Sequence, residues 1–438
     1  MDILKDRIKP LYFKYLVAAS GSAMVAAIFG VVDAMMVGQY HGPVGTAALA
    51  VFSPLWSIIY CLGLLAGIGG SVLFANHRGR GEDHHAQQYF TLSVLYGIFL
   101  SALAMVGIGL FQEKLFRFFG ADDELLVLAK LYLKSILFAI PCCVFSSILS
   151  AYLRNDNNPT LATKAVIIGG IFNCIGDYVC VFELDMGIQG AGLATATAQY
   201  VAIAIMLTHF ISRKNTLRFV KPVAALKKIG AISVTGFSTA VSDLAMGIIG
   251  ILFNRQIMKY LGSDALAVYG IITQITAFSQ CISYGIGQAA QPIVSQNYGA
   301  GQYHRIRECV KYSLYSCVGM GLFWLTLMLA FPGTIMNFFM DATPAVVEIA
   351  PKILRTYGTS YLILPFNIFA TYYFQAMMRP NLAMVVSFAR GVVISGGMIL
   401  LLPVILGPNS IWYAMLITEI LVALYGIYYM IRCGKQRT

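Results

Sequence analysis

AALAVFSPL (residues 47–55) is followed by GLLAGIGGSVLFANHRGRG (residues 63–81), which is apolar until it ends in glycines and basic residues. Similar stretches lie about 217–220 residues further along: DALAVYGII (264–272) and CISYGIGQAAQPIVSQNYGAG (281–301). An apolar run of about 20 residues is long enough to cross the hydrocarbon core of a bilayer as a helix. These stretches therefore predict two similar halves, each built from membrane-spanning helices.

The composition of the whole chain agrees with this prediction. Its 438 residues are 58% hydrophobic and only 11% charged, and the mean hydropathy is +0.75. Soluble domains carry about 25% charged residues, and single soluble cores stop growing beyond roughly 250–300 residues. Lipid must therefore cover much of the surface. The net charge of +11 comes from basic residues in short gaps between apolar runs, so no nucleic-acid partner is expected.

Twelve apolar runs predict twelve transmembrane helices. They fall at residues 11–38, 46–75, 88–111, 125–152, 161–182, 188–211, 229–259, 265–296, 309–331, 346–377, 381–406 and 409–431. An even number of crossings puts both termini on one side, and 21 of the 30 Lys and Arg residues fall on that side. Cytoplasmic loops carry an excess of Lys and Arg, so the N- and C-termini are predicted to be cytoplasmic.

The repeat also predicts the domain organisation. We expect an N-terminal lobe at residues 1–211, a cytoplasmic inter-lobe loop at 212–228 and a C-terminal lobe at 229–438. Both halves begin on the same side after an even number of crossings, so the repeat is parallel. The predicted fold is an all-α polytopic membrane protein with two six-helix lobes related by a pseudo-twofold axis. Repeats of this kind place a transport path between them.

The first lobe concentrates polar residues at one level of the membrane. Asp33 lies about two thirds along the outward-running first helix, and Asp177 lies in the last third of the outward-running fifth. Asn173 precedes Asp177 by four residues and shares its helix face. Thr195 lies in the first third of the inward-running sixth helix. These four residues are the predicted site for a coupling cation. The cation is either Na⁺, held by oxygen atoms, or a proton shared by the carboxyl groups. The alternative is that the four residues only cap or bridge helices.

The second lobe carries more dispersed charges. Asp243, Arg390 and Glu419 fall near the middle of the seventh, eleventh and twelfth helices. A charge at this depth costs about 2.5–3.5 kcal/mol on insertion scales, so each one suggests a role. Arg390 and Glu419 are predicted to form a structural ion pair. Asp243 is predicted to be a second titratable site or a contact for a cationic substrate.

No catalytic or metal-binding motif accompanies these charges. The nine cysteines lack the paired spacing of zinc or redox motifs, and RGRGEDHH (residues 78–85) lies in a short loop without the strand-to-helix context of a phosphate site. We therefore expect no enzyme activity, no metal and no cofactor beyond the coupling ion. Methionines and aromatic residues, including those along the eighth and tenth helices, are candidates for the lining of an adaptable cavity. Most of them are expected to face lipid or to pack, so none is singled out.

Several stretches resemble the multidrug and toxic compound extrusion family. They are VVDAMMVGQYHGPVGTAALA (31–50), LRNDNNPTLAT (153–163), FNCIGDYVCVFELDMGIQGAGLATATAQ (172–199), QPIVSQNYGAGQYHRIRECV (291–310) and IWYAMLITEILVAL (411–424). The resemblance implies a V-shaped pair of lobes in a bacterial plasma membrane that exports cationic or amphipathic drugs and metabolites in exchange for H⁺ or Na⁺. It also places Asp33, Asn173, Asp177 and Thr195 on the family's N-lobe site.

Two departures from the family pattern concern helix bending. The first helix reads YLVAASGSAM (15–24) and the seventh VTGFSTAV (234–241), both without the proline that family members commonly carry. Without proline, a kink in the first helix could still form at Gly21.

Two other functions were weighed against drug export. A flippase or exporter of lipid-linked oligosaccharide or polysaccharide units would favour several basic residues in the central cavity, and only Arg390 lies at mid-depth. A channel or scaffold would not need a carboxylate site confined to one lobe. The predicted partners are a small-molecule drug or metabolite and the membrane lipid, and one chain suffices for a path, which predicts a functional monomer.

Overall fold

The computed structural model describes residues 2–339 and 343–435, which form helices and loops without any β-strand. The first helical stretch, Ile8–Gly79, is two helices that meet at Gly42, where φ is 64° and ψ is −151°. Glycine adopts this backbone conformation without a steric penalty. Gly42 is the single residue of the stretch with non-helical dihedral angles, so α1 does not break at Gly21.

Ten stretches within the described residues are long and apolar enough to cross a membrane. Separating α1 from α2, and adding the interrupted helix α10, gives the twelve helices that the sequence predicted. They are α1 (8–41), α2 (43–79), α3 (Asp83–Phe118), α4 (Asp123–Asn155), α5 (Pro159–Glu183), α6 (Gly187–Ile211), α7 (Ala225–Tyr260), α8 (Ser263–Gly299), α9 (Tyr303–Ala330), α10 (Pro344–Gly358 and Leu364–Ala376), α11 (Pro380–Ile405) and α12 (Pro408–Cys433). A short helix, Pro332–Phe339, follows α9.

Successive helices run antiparallel, so every second loop lies at the same end of the bundle. We call the end that holds residues 2–7, 80–82, 156–158 and 300–302 the terminal side. Arg437, one of the 21 basic residues expected on this side, lies outside the described residues. Which side faces the cytoplasm stays a prediction.

The two halves exchange short segments at the terminal side. The first turns of α1, with Ile8 and Leu11 almost fully buried, pack into a core formed with α8 and α9 of the second half. Ile232 of α7 packs reciprocally into the core of the first half. The Arg305 side chain on α9 also donates hydrogen bonds to the carbonyl oxygens of Ile3 and Asp6, at 2.9 and 2.6 Å. These contacts tie the halves together at one end.

Equivalent glycines bring α2 and α8 into direct backbone contact at the terminal side. A Cβ atom on Gly79 would lie 2.0 Å from the carbonyl oxygen of Gln296, and one on Gly299 would lie 2.0 Å from that of Asn76. Both glycines and both carbonyl positions are 220 residues apart (299 − 79 and 296 − 76), so the contact follows the sequence repeat. Ser295 Oγ also donates a hydrogen bond to the Val72 carbonyl at 2.8 Å. The terminal side is therefore closed between the halves.

A buried carboxylate holds the loops of the first half together on the same side. Asp156, between α4 and α5, accepts hydrogen bonds from Arg78 Nη1 at 2.7 Å, from the Thr216 backbone N–H at 2.9 Å and from the Thr216 hydroxyl. His209 Nε2 lies 2.7 Å from Asp156 Oδ2, the oxygen that also accepts the Thr216 backbone N–H. Burial raises the pKa of Asp156, but the hydrogen bonds from His209, Thr216 and Arg78 outweigh this effect and hold the pKa at about 2.

We expect Asp156→Asn to lower the free energy of unfolding in detergent by about 3 kcal/mol, because it breaks an ion pair whose carboxylate is fully buried and leaves half-buried Arg78 without its partner. In the native protein the pKa of Asp156 in the folded state lies below its value of about 3.9 in the unfolded state. The stabilisation is therefore fully present above about pH 4 and is lost as the pH falls towards 2. Thermal unfolding of the purified protein measures the change. Asp123→Asn is the matched control, since Asp123 pairs with Arg117 in an exposed position; equal melting temperatures for the two variants would contradict the prediction.

Candidate functional site

The structure brings the four polar residues of the first lobe into one cluster. Asn173 Nδ2 on α5 lies 3.3 Å from Asp177 Oδ1, one helical turn away, and 3.3 Å from Thr195 Oγ1 on α6. Asp33 on α1 lies within hydrogen-bonding reach of Asp177. Three helices thus contribute to one site on the side opposite the terminal side, at the level the sequence predicted.

The two carboxyl groups of this cluster are not compensated by protein cations. Asp177 is fully buried and Asp33 is 8% exposed. Asp33 Oδ1 and Asp177 Oδ2 are buried and accept no hydrogen bond from any described residue. Neither carboxylate forms an ion pair with a Lys, Arg or His of the described chain. Two adjacent buried carboxylates favour the uptake of a positive charge, which a proton or a small cation supplies.

Tyr132 belongs to the same cluster, although the pattern of polar residues in the sequence does not single it out. Its hydroxyl donates to Asp33 Oδ2 at 3.2 Å and lies within reach of Thr195. Its position could have been inferred, because it lies nine residues after the start of α4, roughly 14 Å below the side opposite the terminal side. Aromatic residues are so common in these helices that no single one stood out.

A π-helical turn adjoins the buried charge in each half. Tyr178–Glu183 follows Asp177 directly at the end of α5, and Ala389–Val393 includes Arg390 in α11. Such turns insert an extra residue into a helix, which redirects the neighbouring side chains, and they are frequent at functional sites. The two turns lie in corresponding helices, the fifth of each half.

The second lobe contains an ion pair and a separate acid. Arg390 Nε donates to Glu419 Oε1 at 2.8 Å, which confirms the predicted pair, and Asn367 Nδ2 donates to Glu419 Oε2 at 2.6 Å. Asp243 does not join this pair. It accepts a hydrogen bond at 2.9 Å from the hydroxyl of Tyr284, which also interacts electrostatically with Arg390. Asp243 therefore approaches the ion pair through Tyr284 rather than by direct contact.

A cavity of about 540 Å³ connects the first-lobe cluster with the middle of the molecule. Asp33, Tyr132, Asn173 and Thr195 line one end, and Arg154 of α4 and Gln288 of α8 are among its other lining residues. Since the terminal side is closed by α2 and α8, the cavity belongs to a conformation closed on that side.

One known family matches the chain twice, once in each half of the sequence repeat. The MatE family profile matches residues 19–179 and, a second time, residues 238–396. The chain belongs to the MatE family. Its two matched segments occupy corresponding positions in the two halves.

MatE relatives of this chain are multidrug export proteins by name. The multidrug export protein MepA of Staphylococcus saprophyticus is 22% identical over 416 residues, which cover 94% of this chain and 91% of the relative. MepA of Staphylococcus aureus is 24% identical over 419 residues, covering 93% and 91%.

Solved MatE structures share the fold. The outward-facing structure of a multidrug resistance MATE transporter superposes with a TM-score of 0.92 at 19% identity, covering 99% of this chain and 98% of the other. A MOP-superfamily transporter from Pyrococcus furiosus, described as having a binding pocket of reverse polarity, gives 0.90 at 20% identity, with 99% and 97% covered. The predicted V-shaped arrangement of two six-helix lobes is thereby confirmed.

The cavity of this MatE chain is lined almost entirely by the first half. Its lining comes from α1, α2, α4, α5 and α6 of the first half, and α8 contributes Gln288 alone. No methionine lines it, and its aromatic side chains are Phe29, Phe52, Trp56, Tyr60 and Tyr132. The aromatic residues of α8 and α10 do not line this cavity. Hydropathy identifies which residues are apolar but not which of them turn away from lipid.

In the second lobe we expect Glu419→Gln to destabilise the protein by about 3–5 kcal/mol, because Arg390 would keep its charge without a partner. Arg390 Nη2 already lacks a hydrogen bond to any described residue. The double variant Glu419→Gln/Arg390→Met removes both charges and should recover most of the loss. Thermal unfolding of the three proteins measures this, and a double variant no more stable than Glu419→Gln would contradict a paired structural role.

Proposed function

We propose that this MatE protein is an antiporter that exports small organic compounds, often cationic or amphipathic, in exchange for H⁺ or Na⁺. The observation that carries the proposal is the buried Asp33–Asp177 pair, which has no protein cation and adjoins the central cavity. The names of the MepA relatives support drug export as the outcome. We further propose a bacterial plasma membrane location with the terminal side in the cytoplasm, and function as a monomer.

The coupling mechanism follows from what the cluster shares with the cavity. Asp33, Asn173 and Thr195 line the cavity and also surround Asp177. A cation that enters the cluster neutralises the buried charge and changes the stable positions of α1, α5 and α6. The same helices form most of the cavity wall, so ion uptake lowers the affinity for the exported compound. Separation of α2 and α8 at the terminal side would then open the path to the cytoplasm.

Transport by the purified protein in liposomes tests this proposal. Tetramethylrhodamine methyl ester serves as an amphipathic, cationic probe, and pH and Na⁺ gradients are imposed separately. We expect dye to move against its own gradient when H⁺ or Na⁺ runs in the opposite direction. Dye movement that follows only the dye gradient under both conditions would contradict antiport.

A further inference from the structure

Arg154 is a basic side chain of the cavity wall that the coupling mechanism does not use. It lies in the last turn of α4. Ser146, Ser147 and Ser150 line the cavity on the same helix, at the spacing of three and four residues that places side chains on one face. These hydroxyl groups form a polar stripe that ends at the Arg154 guanidinium, at the deep end of the cavity.

No acidic side chain neutralises this guanidinium. Among the described residues no carboxylate lies within 4.0 Å of Arg154, whereas Arg78 pairs with Asp156 and Arg390 with Glu419. The electrostatic neighbours of Arg154 are instead the phenol groups of three tyrosines, Tyr15, Tyr60 and Tyr372. Tyr60 and Tyr372 also interact electrostatically with Asp243. An arginine at membrane depth normally pairs with an acid or faces a polar cavity, and Arg154 does the second.

Arg154 and the cation cluster are too far apart to hold one small molecule between them. Tyr132, which contacts Asp33, and Arg154 are 22 residues apart on α4, roughly 33 Å at the rise of an α-helix. The Arg154 side chain leans back towards the start of the helix but covers only a minor part of that length. The two charged regions therefore act on different ligands, the cation at one end and part of the transported compound at the other.

We infer that Arg154 is the centre of an anion-binding subsite, and that the exported compounds include amphipathic zwitterions or anions with a carboxylate, phosphate or sulfonate group. This inference rests on the proposed export function. The guanidinium presents five N–H donors in a planar fork that binds such groups through two parallel hydrogen bonds. Gln288, which bonds to Tyr372, adds polar groups beside it. Trp56 and Tyr60 in the wall offer apolar surface to the rest of the ligand.

Two dyes that differ in one charge test the subsite. Tetramethylrhodamine carries a free carboxylate, and its methyl ester lacks this negative charge. Fluorescence polarisation on the purified full-length protein in detergent measures both affinities without any ion gradient. We expect the carboxylate dye to bind about tenfold more tightly than the ester, since a charge-assisted hydrogen bond contributes this much or more. Arg154→Gln should weaken the carboxylate dye about tenfold and leave the ester within about twofold, and Arg154→Lys should retain part of the preference.

Equal affinities of the wild type for the two dyes, or an equal loss for both in Arg154→Gln, would overturn the inference. Gln288→Leu is a second variant of the subsite, for the case that Arg154→Gln does not fold. It should weaken binding of the carboxylate dye severalfold and leave binding of the ester unchanged. Unchanged binding of both dyes would also count against the subsite. Export is read separately in liposomes. Gradient-driven export of the ester together with equal binding of the two dyes refutes the subsite alone, and selective binding without driven movement of either dye refutes the antiporter alone.

Discussion

Asp33→Asn and Asp177→Asn should each reduce gradient-driven dye efflux to the level of protein-free liposomes. Asparagine keeps the shape of the side chain but neither binds nor releases a proton and offers a cation no charge. The two carboxyl groups lie within hydrogen-bonding reach of each other, so the loss of either one dismantles the pair. The assay is dye movement driven by an imposed pH or Na⁺ gradient, with dye binding in detergent measured in parallel.

Asp243→Asn is the matched control, because it makes the same change in the membrane part of the other lobe. Asp243 has a tyrosine hydroxyl as its partner rather than a second carboxylate, and we expect its variant to retain most of the efflux. Driven efflux in Asp33→Asn and Asp177→Asn at the wild-type rate would remove the coupling site. An equal loss in Asp243→Asn would show that coupling is not confined to the first lobe.

Gly79→Ala and Gly299→Ala should each slow efflux roughly 5- to 150-fold. Each methyl group would lie 2.0 Å from a backbone carbonyl oxygen of the facing helix, so α2 and α8 must separate. Overpacking of this kind costs about 1–3 kcal/mol. This energy destabilises the state that is closed at the terminal side, and it shifts the ratio of closed to open molecules by roughly 5- to 150-fold.

Gly107→Ala and Gly319→Ala are the controls for this substitution. They lie in α3 and α9, where an added Cβ would meet nothing within 4 Å. We expect both to transport at close to the wild-type rate. If the four alanine variants transport equally well, the close contact of α2 and α8 is not part of the transport cycle.

The sequence predicted the number of helices because each helix must offer lipid an apolar run of suitable length. It predicted their ends less well. The helix α3 begins at Asp83 rather than near residue 88, since its first turns are polar and hydropathy does not detect a helix that extends beyond the hydrocarbon. The break at Ile363 in α10 and the helical course of α1 through Gly21 also depend on packing that hydropathy does not record.

The site could be predicted as far as depth and helical spacing determine it. Counting from the helix ends placed Asp33, Asn173, Asp177 and Thr195 at one level, and the structure brings them into one cluster. The sequence could not assign the direction in which a side chain points around its helix. Arg154 ends an apolar run, a position typical of a basic residue at the membrane surface, yet it lines the cavity.

The central claim is that movement of the organic compound and movement of the cation are obligatorily linked at Asp33 and Asp177. The most direct measurement reverses the usual assay: liposomes containing the protein are loaded with tetramethylrhodamine methyl ester, diluted without any ion gradient, and followed for entry of H⁺ or Na⁺. The account predicts that dye efflux through the wild type drives cation entry and that Asp177→Asn shows none. Dye efflux through the wild type without cation entry, or cation entry that persists in Asp177→Asn, would contradict it.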